Sequence, residues 1–201
     1  MAELTMTTFI SLDGVMQAPG GPTEDPSDGF LHGGWTFPYA DEEMGATMLE
    51  IFSKASAFLL GRRTYDIFAS WWPKVTNPDD IVATKLNSLP KFVASRTQSF
   101  FPWKGSSLLQ NVESGARNLK KQYTGEVQVH GSCGLAQTLI AADLIDEYRI
   151  LTFPVLLGSG RRLFGSGTIP MALKLVNSHS TSKGIVISVY RRAGSLKTGS
   201  F

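Results

Sequence analysis

A single cysteine, Cys133, excludes an internal disulfide, and three histidines (His32, His130 and His179) are too few to complete a structural zinc site with it. No block of one charge occurs either. Nineteen Lys+Arg against seventeen Asp+Glu leave a formal net charge of +2, and without a basic arm nucleic acid is not an expected partner. No apolar run approaches the roughly 20 residues that span a bilayer. The opening Met-Ala-Glu-Leu-Thr-Met-Thr-Thr-Phe-Ile-Ser lacks the basic start and apolar stretch of a signal peptide. A soluble, cytoplasmic protein without metal or membrane partner is the expectation. What is present is 42% hydrophobic and 10% aromatic residues in a chain of 201, ample for one well-filled core. With no internal repeat and no composition shift, residues 1–201 are expected to form a single domain.

Helix-period and strand-period segments alternate along the chain, which predicts an α/β sandwich with a mostly parallel sheet and an antiparallel end. Strands are expected at Thr5–Ser11, Ala57–Leu60, Lys91–Ser95, Glu126–His130 and Arg149–Phe153, with a closing hairpin of Leu173–Val176 and Ile185–Tyr190. Helices are expected over 42–54, from Thr64 onward, over 112–123 behind Asn111 as N-cap, and from Gly131–Gly134 onward. The segment between Trp71-Trp72-Pro73 and Leu89-Pro90 reads as a polar connection. Residues 12–40, rich in Gly, Pro and Asp, are too long for a simple turn and read as a lid or a disordered loop.

Two strand-to-helix turns, Gly61-Arg62-Arg63-Thr64 and Gly131-Ser132-Cys133-Gly134, place glycines where helix N–H groups converge beyond the carboxyl ends of parallel strands. Such turns hold phosphates without side-chain charge. Arg62, Arg63 and Arg96 could add planar forks for a terminal phosphate. Together they point to a phosphorylated dinucleotide, although each turn by itself could be a turn and nothing more. The Gly158-Ser-Gly160-Arg-Arg-Leu-Phe164-Gly165-Ser-Gly167 segment fits neither phosphate-loop motif. It has Leu163 where the dinucleotide fingerprint needs its third Gly, and Ser166 where a P-loop has Lys, so it reads as a mobile turn beside the site. No His-x-Glu with Pro-Cys-x-x-Cys is present, which excludes a zinc deaminase. Adjacent His130 and Ser132 lack the Gly-x-Ser-x-Gly elbow of a serine hydrolase. His130 is expected as a partly buried core residue.

The ordered set Ser11-Leu12-Asp13-Gly14, Leu59-Leu60-Gly61-Arg62-Arg63-Thr64-Tyr65, Ala94-Ser95-Arg96, Val129-His130-Gly131-Ser132-Cys133-Gly134-Leu135, Leu144-Ile145-Asp146-Glu147 and Pro154-Val155-Leu156-Leu157-Gly158-Ser159-Gly160 resembles the dihydrofolate-reductase-like superfamily. Within it, the chain is similar to stand-alone relatives of the reductase domain of bacterial riboflavin biosynthesis, over nearly its whole length. The resemblance implies a three-layer sandwich around a mainly parallel sheet of about eight strands. It also implies NADPH as hydride donor, and a homodimer. By the same resemblance Gly61, Arg62, Arg63, Thr64, Ser95 and Arg96 hold the 2′-phosphate end, and Gly131, Ser132, Cys133, Gly134 and Leu135 the pyrophosphate. Leu12, Gly14, Trp35, Pro154 and Gly158 fall on the substrate side.

The implied activity is an NADPH-dependent reduction like that of 5-amino-6-(5-phosphoribosylamino)uracil. Dihydrofolate-type reduction and a non-catalytic NADP-binding module are the alternatives. Hydride transfer leaves one task to side chains, the supply of a proton, for which a desolvated carboxyl is suited. Asp41 and Asp13 are the candidates, Glu42 standing beside the first. Asp13 could instead tie a tight turn, and Asp41 could cap a helix. Phe30, His32, Trp35, Phe37 and Tyr39 could stack on a planar heterocycle, pin the long loop to the core, or meet a second subunit. In the biosynthetic reductase the first turn continues Thr-Val and then Asp-x-Pro-x-Leu; here Arg62-Arg63-Thr64-Tyr65-Asp66-Ile67 stands in its place.

Overall fold

The computed structural model describes residues 1–166 and 168–200; Gly167, the last glycine of the 158–167 turn, and Phe201 lie outside the described residues. Six strands run parallel: β1 (Glu3–Ser11), β2 (Ala55–Gly61), β3 (Lys91–Ala94), β4 (Ser106–Leu109), β5 (Glu126–His130) and β6 (Glu147–Phe153). β7 (Leu173–Ser180) and β8 (Val186–Arg192) form the terminal hairpin, and β8 pairs antiparallel with β6. The order across the eight-stranded sheet is β4-β3-β2-β5-β1-β6-β8-β7. β2 is apolar at nearly every position because both its faces are covered.

Alternation along the strands sorts the side chains into two layers of core. On one face Leu4, Met6, Val127, Val129 and Ile150 pack with Ala116 and Leu119 of α4 (Val112–Gln122) and Leu135, Ala136 and Leu139 of α5 (Cys133–Ala141). Toward the other, Phe58 and Leu60 pack with Phe52 of α1 (Glu42–Ser53), Tyr65 of α2 (Arg62–Trp71) and Leu86 of α3 (Ile81–Ser88). A third cluster joins Leu151, Phe153, Ile185 and Ile187 to Val15, Ala18, Phe30 and Trp35.

The 12–40 connection is folded against this third cluster. Trp35 donates its indole N–H to Gln17 O at 2.8 Å and meets Phe153 edge-on, the ring centroids 5.3 Å apart; Tyr39 meets the same ring at 6.3 Å. A Cβ at Gly33 would lie 2.5 Å from Gly21 O, so two stretches within the loop touch through a residue that has none. Of the three roles open to these aromatics, Phe30, Trp35 and Tyr39 anchor the loop, whereas Phe37 is 81% exposed.

Two elements, α3 and β4, lie in segments that the sequence pattern leaves as connections. α3 has only eight residues, begins with two β-branched side chains, and owes its start to Asp80, whose carboxylate accepts from Ala83 N at 2.9 Å. β4 is a four-residue edge strand, Ser-Ser-Leu-Leu, without alternation. Neither carries enough apolar positions for a period to show.

Candidate functional site

The carboxyl ends of β1 to β5 open onto one cleft of about 1250 Å³. Parallel strands put the starts of α2, α4 and α5 on the same rim. α4 is capped from within, Asn111 Oδ1 accepting from Ser114 N at 2.9 Å. The other two are not: Gly61 has no side chain to cap α2, and Ser132, the N-cap of α5, makes no side-chain cap. The first-turn N–H groups of both helices are therefore directed at the cleft without a side-chain acceptor. The two turns also interlock. A Cβ at Gly61 would lie 2.0 Å from Ser132 Oγ and 2.7 Å from Ser132 Cβ, and the Gly131–Ser132 peptide is cis.

Gly61–Thr64, Ser95–Arg96 and Gly131–Leu135 thus all line this cleft. Arg62 pairs with Asp66 at 2.6 Å, and Arg63 turns to Asp25 at 3.4 Å. Ser95 Oγ accepts from Gln98 N at 2.9 Å, leaving exposed Arg96 without an ion pair among the described residues. Cys133 donates its thiol to Arg162 O at 3.2 Å, and burial pushes that thiol up. Leu135 faces the core at 5% exposure, so its part in the wall is the backbone turn it belongs to.

The floor is made by Thr7, Thr8, Phe9 and His130. His130 stacks on Phe52 with centroids 4.3 Å apart, and Nε2 lies 3.0 Å from Gln128 Oε1. The Gln128 amide nitrogen donates to Ile51 O and Glu126 Oε2. Its oxygen is therefore the acceptor, His130 Nε2 carries the proton, and Nδ1 is left as an acceptor. Burial, with the nearby Arg149 charge adding to it, pushes the imidazole down to about 3. Beside it in the β1–β5 register is Thr7, whose buried hydroxyl has no partner among the described residues.

A neutral buried histidine makes stability depend on pH. The unfolded state binds a proton near pH 6.5 that the folded state refuses until about 3, so stability falls as pH drops through that interval, by up to about 1.4 kcal/mol per unit. Urea unfolding followed between pH 7 and 4 is expected to show this slope, and His130→Phe to flatten it. An unchanged slope in the variant would assign the acid sensitivity elsewhere.

Neither candidate proton donor reaches the cleft wall. Asp13 accepts from Ser11 Oγ at 2.6 Å, Gly158 N at 2.8 Å and Leu157 N at 3.1 Å. The Ser11 hydrogen bond, with the two backbone N–H groups, holds its carboxyl at about 2. It ties the turn after β1 to the 158 turn, the structural option named for it above. Asp41 caps α1, accepting from Met44 N at 2.9 Å, and takes two further bonds from Ser182 and Lys183 of the β7–β8 turn. Both acids, expected beside the reacting centre, thus fill the structural roles named for them above and are absent from the lining of the cleft.

The substrate-side residues Leu12, Gly14, Trp35, Pro154 and Gly158 also lie off its lining. After β1 the chain turns to pair with 155–163 through Leu12 N to Val155 O and the Val15–Arg162 bridge, which leaves Leu12 67% exposed. The acids that do line the cleft are Glu24 and Asp25, from the folded-over loop, with Glu113 of α4. Burial raises the Glu24 carboxyl above its usual range against hydrogen bonds from Gly20 and Gly21 N–H. Arg161, from the glycine-rich turn, lines it as well. Met48, Phe52, Ile67 and Phe68 give the cleft an apolar arm between α1 and α2. Only the acids Glu24-Asp25 inside a lid-like loop offered a sequence signal for any of this.

Fold and cleft together define an α/β sandwich of the dihydrofolate-reductase-like class. The chain belongs to the RibD C-terminal domain family, whose model matches residues 2–187. It is 32% identical over 194 residues to the uncharacterized protein YyaP of Bacillus subtilis (strain 168), covering 96% of each chain. Among solved structures it is similar to the deaminase/5-amino-6-(5-phosphoribosylamino)uracil reductase of Thermotoga maritima. There the TM-score is 0.62 at 15% identity, with 96% of this chain covered and 57% of that one. It is also similar to Enterococcus faecalis dihydrofolate reductase complexed with NADP(H), with TM-score 0.59, 13% identity, and 94% and 96% covered. Among the described residues, no helix is long and apolar enough to cross a membrane.

Proposed function

We propose that the protein is an NADPH-dependent reductase of a small heterocyclic substrate, with activity like that of 5-amino-6-(5-phosphoribosylamino)uracil reductase. The observation that carries this reading is the pair of uncapped helix starts, at Gly61 and Ser132, on one cleft wall with Arg62, Arg63 and Arg96. Free N–H groups at two helix starts and three guanidinium groups suit a ligand with several phosphates. Family membership and the NADP(H)-bound dihydrofolate reductase of like fold support it.

In this reading Gly61–Thr64, Ser95 and Arg96 hold the 2′-phosphate end and Gly131–Leu135 the pyrophosphate. NADPH supplies a hydride when bound. The chain's own part is to orient and to move a proton. Thr7 Oγ1 and His130 Nδ1 offer hydrogen bonds on the floor, and Glu24, with its raised affinity for a proton, is the carboxyl at hand to donate one. The apolar arm of Met48, Phe52, Ile67 and Phe68 favours a second reading, dihydrofolate-type reduction, since it would accept an aromatic substituent.

Nicotinamide fluorescence titrations test the first step. Wild type is expected to bind NADPH at least about tenfold more tightly than NADH, and Arg62→Ala/Arg96→Ala to lose that preference. Binding of neither cofactor would overturn the proposal.

A further inference from the structure

An ion cluster in the cleft joins Arg63 to a second arginine, Arg161, and to a carboxylate, neither of which the proposed reaction uses. Arg63, in the first turn of α2, and Arg161, from the turn after β6, converge on Asp25 Oδ2: Arg161 Nη2 forms an ion pair with it and Arg63 Nη1 stands at 3.4 Å. Both arginines also donate to Ser27 Oγ, at 3.1 and 2.9 Å, and Arg161 reaches Asp28 at 2.8 Å. Asp25 and both arginines line the same cleft. Burial opposes the Asp25 charge, but the Ser27 hydrogen bond and Arg161 outweigh it and keep the carboxyl below its usual range. The Arg161 charge is felt as far as Cys133, in the uncapped first turn of α5, where it works against the effect of burial. One oxygen of Asp25 is thus shared by two guanidinium groups beside a free helix start, with Ser27 and Asp28 taking the other terminal nitrogen of Arg161. Forks of this kind match the several oxygens of a phosphoryl group better than one oxygen of a planar monoanion.

We propose that Arg63 and Arg161 form a phosphoryl-binding seat in which the Asp25 carboxylate is a built-in surrogate, so that a phosphorylated ligand binds by displacing the 25–28 strap while Glu24 stays on the Gly20 and Gly21 N–H groups. The seat adds Arg161 to the Arg63 of the Gly61–Thr64 turn, and it gives the glycine-rich 158–164 turn a ligand-binding role. Only the source of the phosphoryl group, cofactor or substrate, rests on the reductase reading. Linkage makes the competition reciprocal: whatever Asp25 gains from the arginines, the ligand must exceed.

Inorganic pyrophosphate is the first probe, titrated calorimetrically into wild type, Asp25→Asn and Arg161→Gln, each checked for an unchanged fold by circular dichroism and melting. Asp25→Asn is expected to bind it at least about fivefold more tightly, and Arg161→Gln about tenfold more weakly. Hydrogen exchange over 25–28 is expected to rise when pyrophosphate is added to wild type and not to Arg161→Gln. Equal affinity in wild type and Asp25→Asn, or weaker binding in the latter, would overturn the seat, as would exchange over 25–28 that ignores pyrophosphate.

Three further titrants locate the source. Gains from Asp25→Asn toward NADPH and NADH alike assign the seat to the cofactor's pyrophosphate, and gains toward NADPH alone assign it to the 2′-phosphate. A gain toward ribose 5-phosphate alone assigns it to a substrate phosphomonoester. Pyrophosphate binding as expected, with no dinucleotide bound by any variant, would sustain the seat and sink the reductase reading.

Discussion

Gly61→Ala is expected to lower the melting temperature and to weaken NADPH binding by at least about tenfold, because the end of β2 and the start of α5 share a space that admits no second Cβ. The added methyl would stand 2.0 Å from Ser132 Oγ and 2.7 Å from Ser132 Cβ. The hydroxyl can rotate away, but Cβ moves only with its backbone. The turn that carries the free N–H groups of α5 must therefore shift, at an overpacking cost of about 1–3 kcal/mol. Displacing those donors by even a few tenths of an ångström lengthens hydrogen bonds that weaken steeply with geometry. Adding Ser132→Gly to Gly61→Ala removes the clashing side chain, and the double variant is expected to recover most of the lost melting temperature and affinity. Thermal melts and nicotinamide fluorescence on the three variants check the argument. A Gly61→Ala protein that melts and binds like wild type, or a double variant no better than the single one, would show that the interlock is not what shapes the wall.

Much of this wall is legible in the sequence because it is local. Gly61 closes the short apolar run Ala57–Leu60 and Gly131 follows the alternating Glu126–His130, patterns that mark both as strands, and the helix periods start within a few residues. β5 has the predicted limits, Glu126–His130, and Asn111 caps α4 as expected. The closing hairpin and the antiparallel end of the sheet follow from the same local signals. What is not local is not legible. Asp13 and Asp41 sit in the chain where a proton donor would be sought, yet each is claimed by donors remote in sequence, Asp13 by the N–H groups of 157 and 158 and Asp41 by the Ser182 hydroxyl and the Lys183 N–H. Glu24 enters the cleft because the 12–40 loop folds back on aromatic anchors, and Arg161 meets it there from the turn after β6; no period or motif announces either path. His130 was legible as a buried residue but not as part of the floor, since its tautomer depends on Gln128, Ile51 and Glu126 together.

Arg149→Leu is expected to be the most destabilising single change at the centre of the sheet. Arg149, on β6, is 8% exposed at its side chain and bonds Glu126 on β5 through both terminal nitrogens, at 2.9 and 2.7 Å, and Glu147 through Nε at 2.7 Å. Glu147 keeps a second partner in Arg191, at 2.9 Å, but Glu126 would keep only neutral donors. Burial already opposes the Glu126 charge, and Arg149 is foremost among the groups that overcome it. Leaving such a carboxylate unpaired in the interior costs about 3–5 kcal/mol. At this chain length that is a fall of roughly 10 °C in melting temperature.

The damage should extend to the cleft, because Glu126 accepts from Gln128 and Gln128 accepts from His130. Arg149→Lys keeps the charge but not the fork and is expected to fall between wild type and Arg149→Leu. Adding Glu126→Gln to Arg149→Leu removes the stranded charge, so the double variant is expected to be more stable than the single one, a sign that no additive packing loss would produce. Urea unfolding of the four proteins at neutral pH decides it. A double variant less stable than Arg149→Leu would mean that the leucine's fit, and not the abandoned carboxylate, sets the loss.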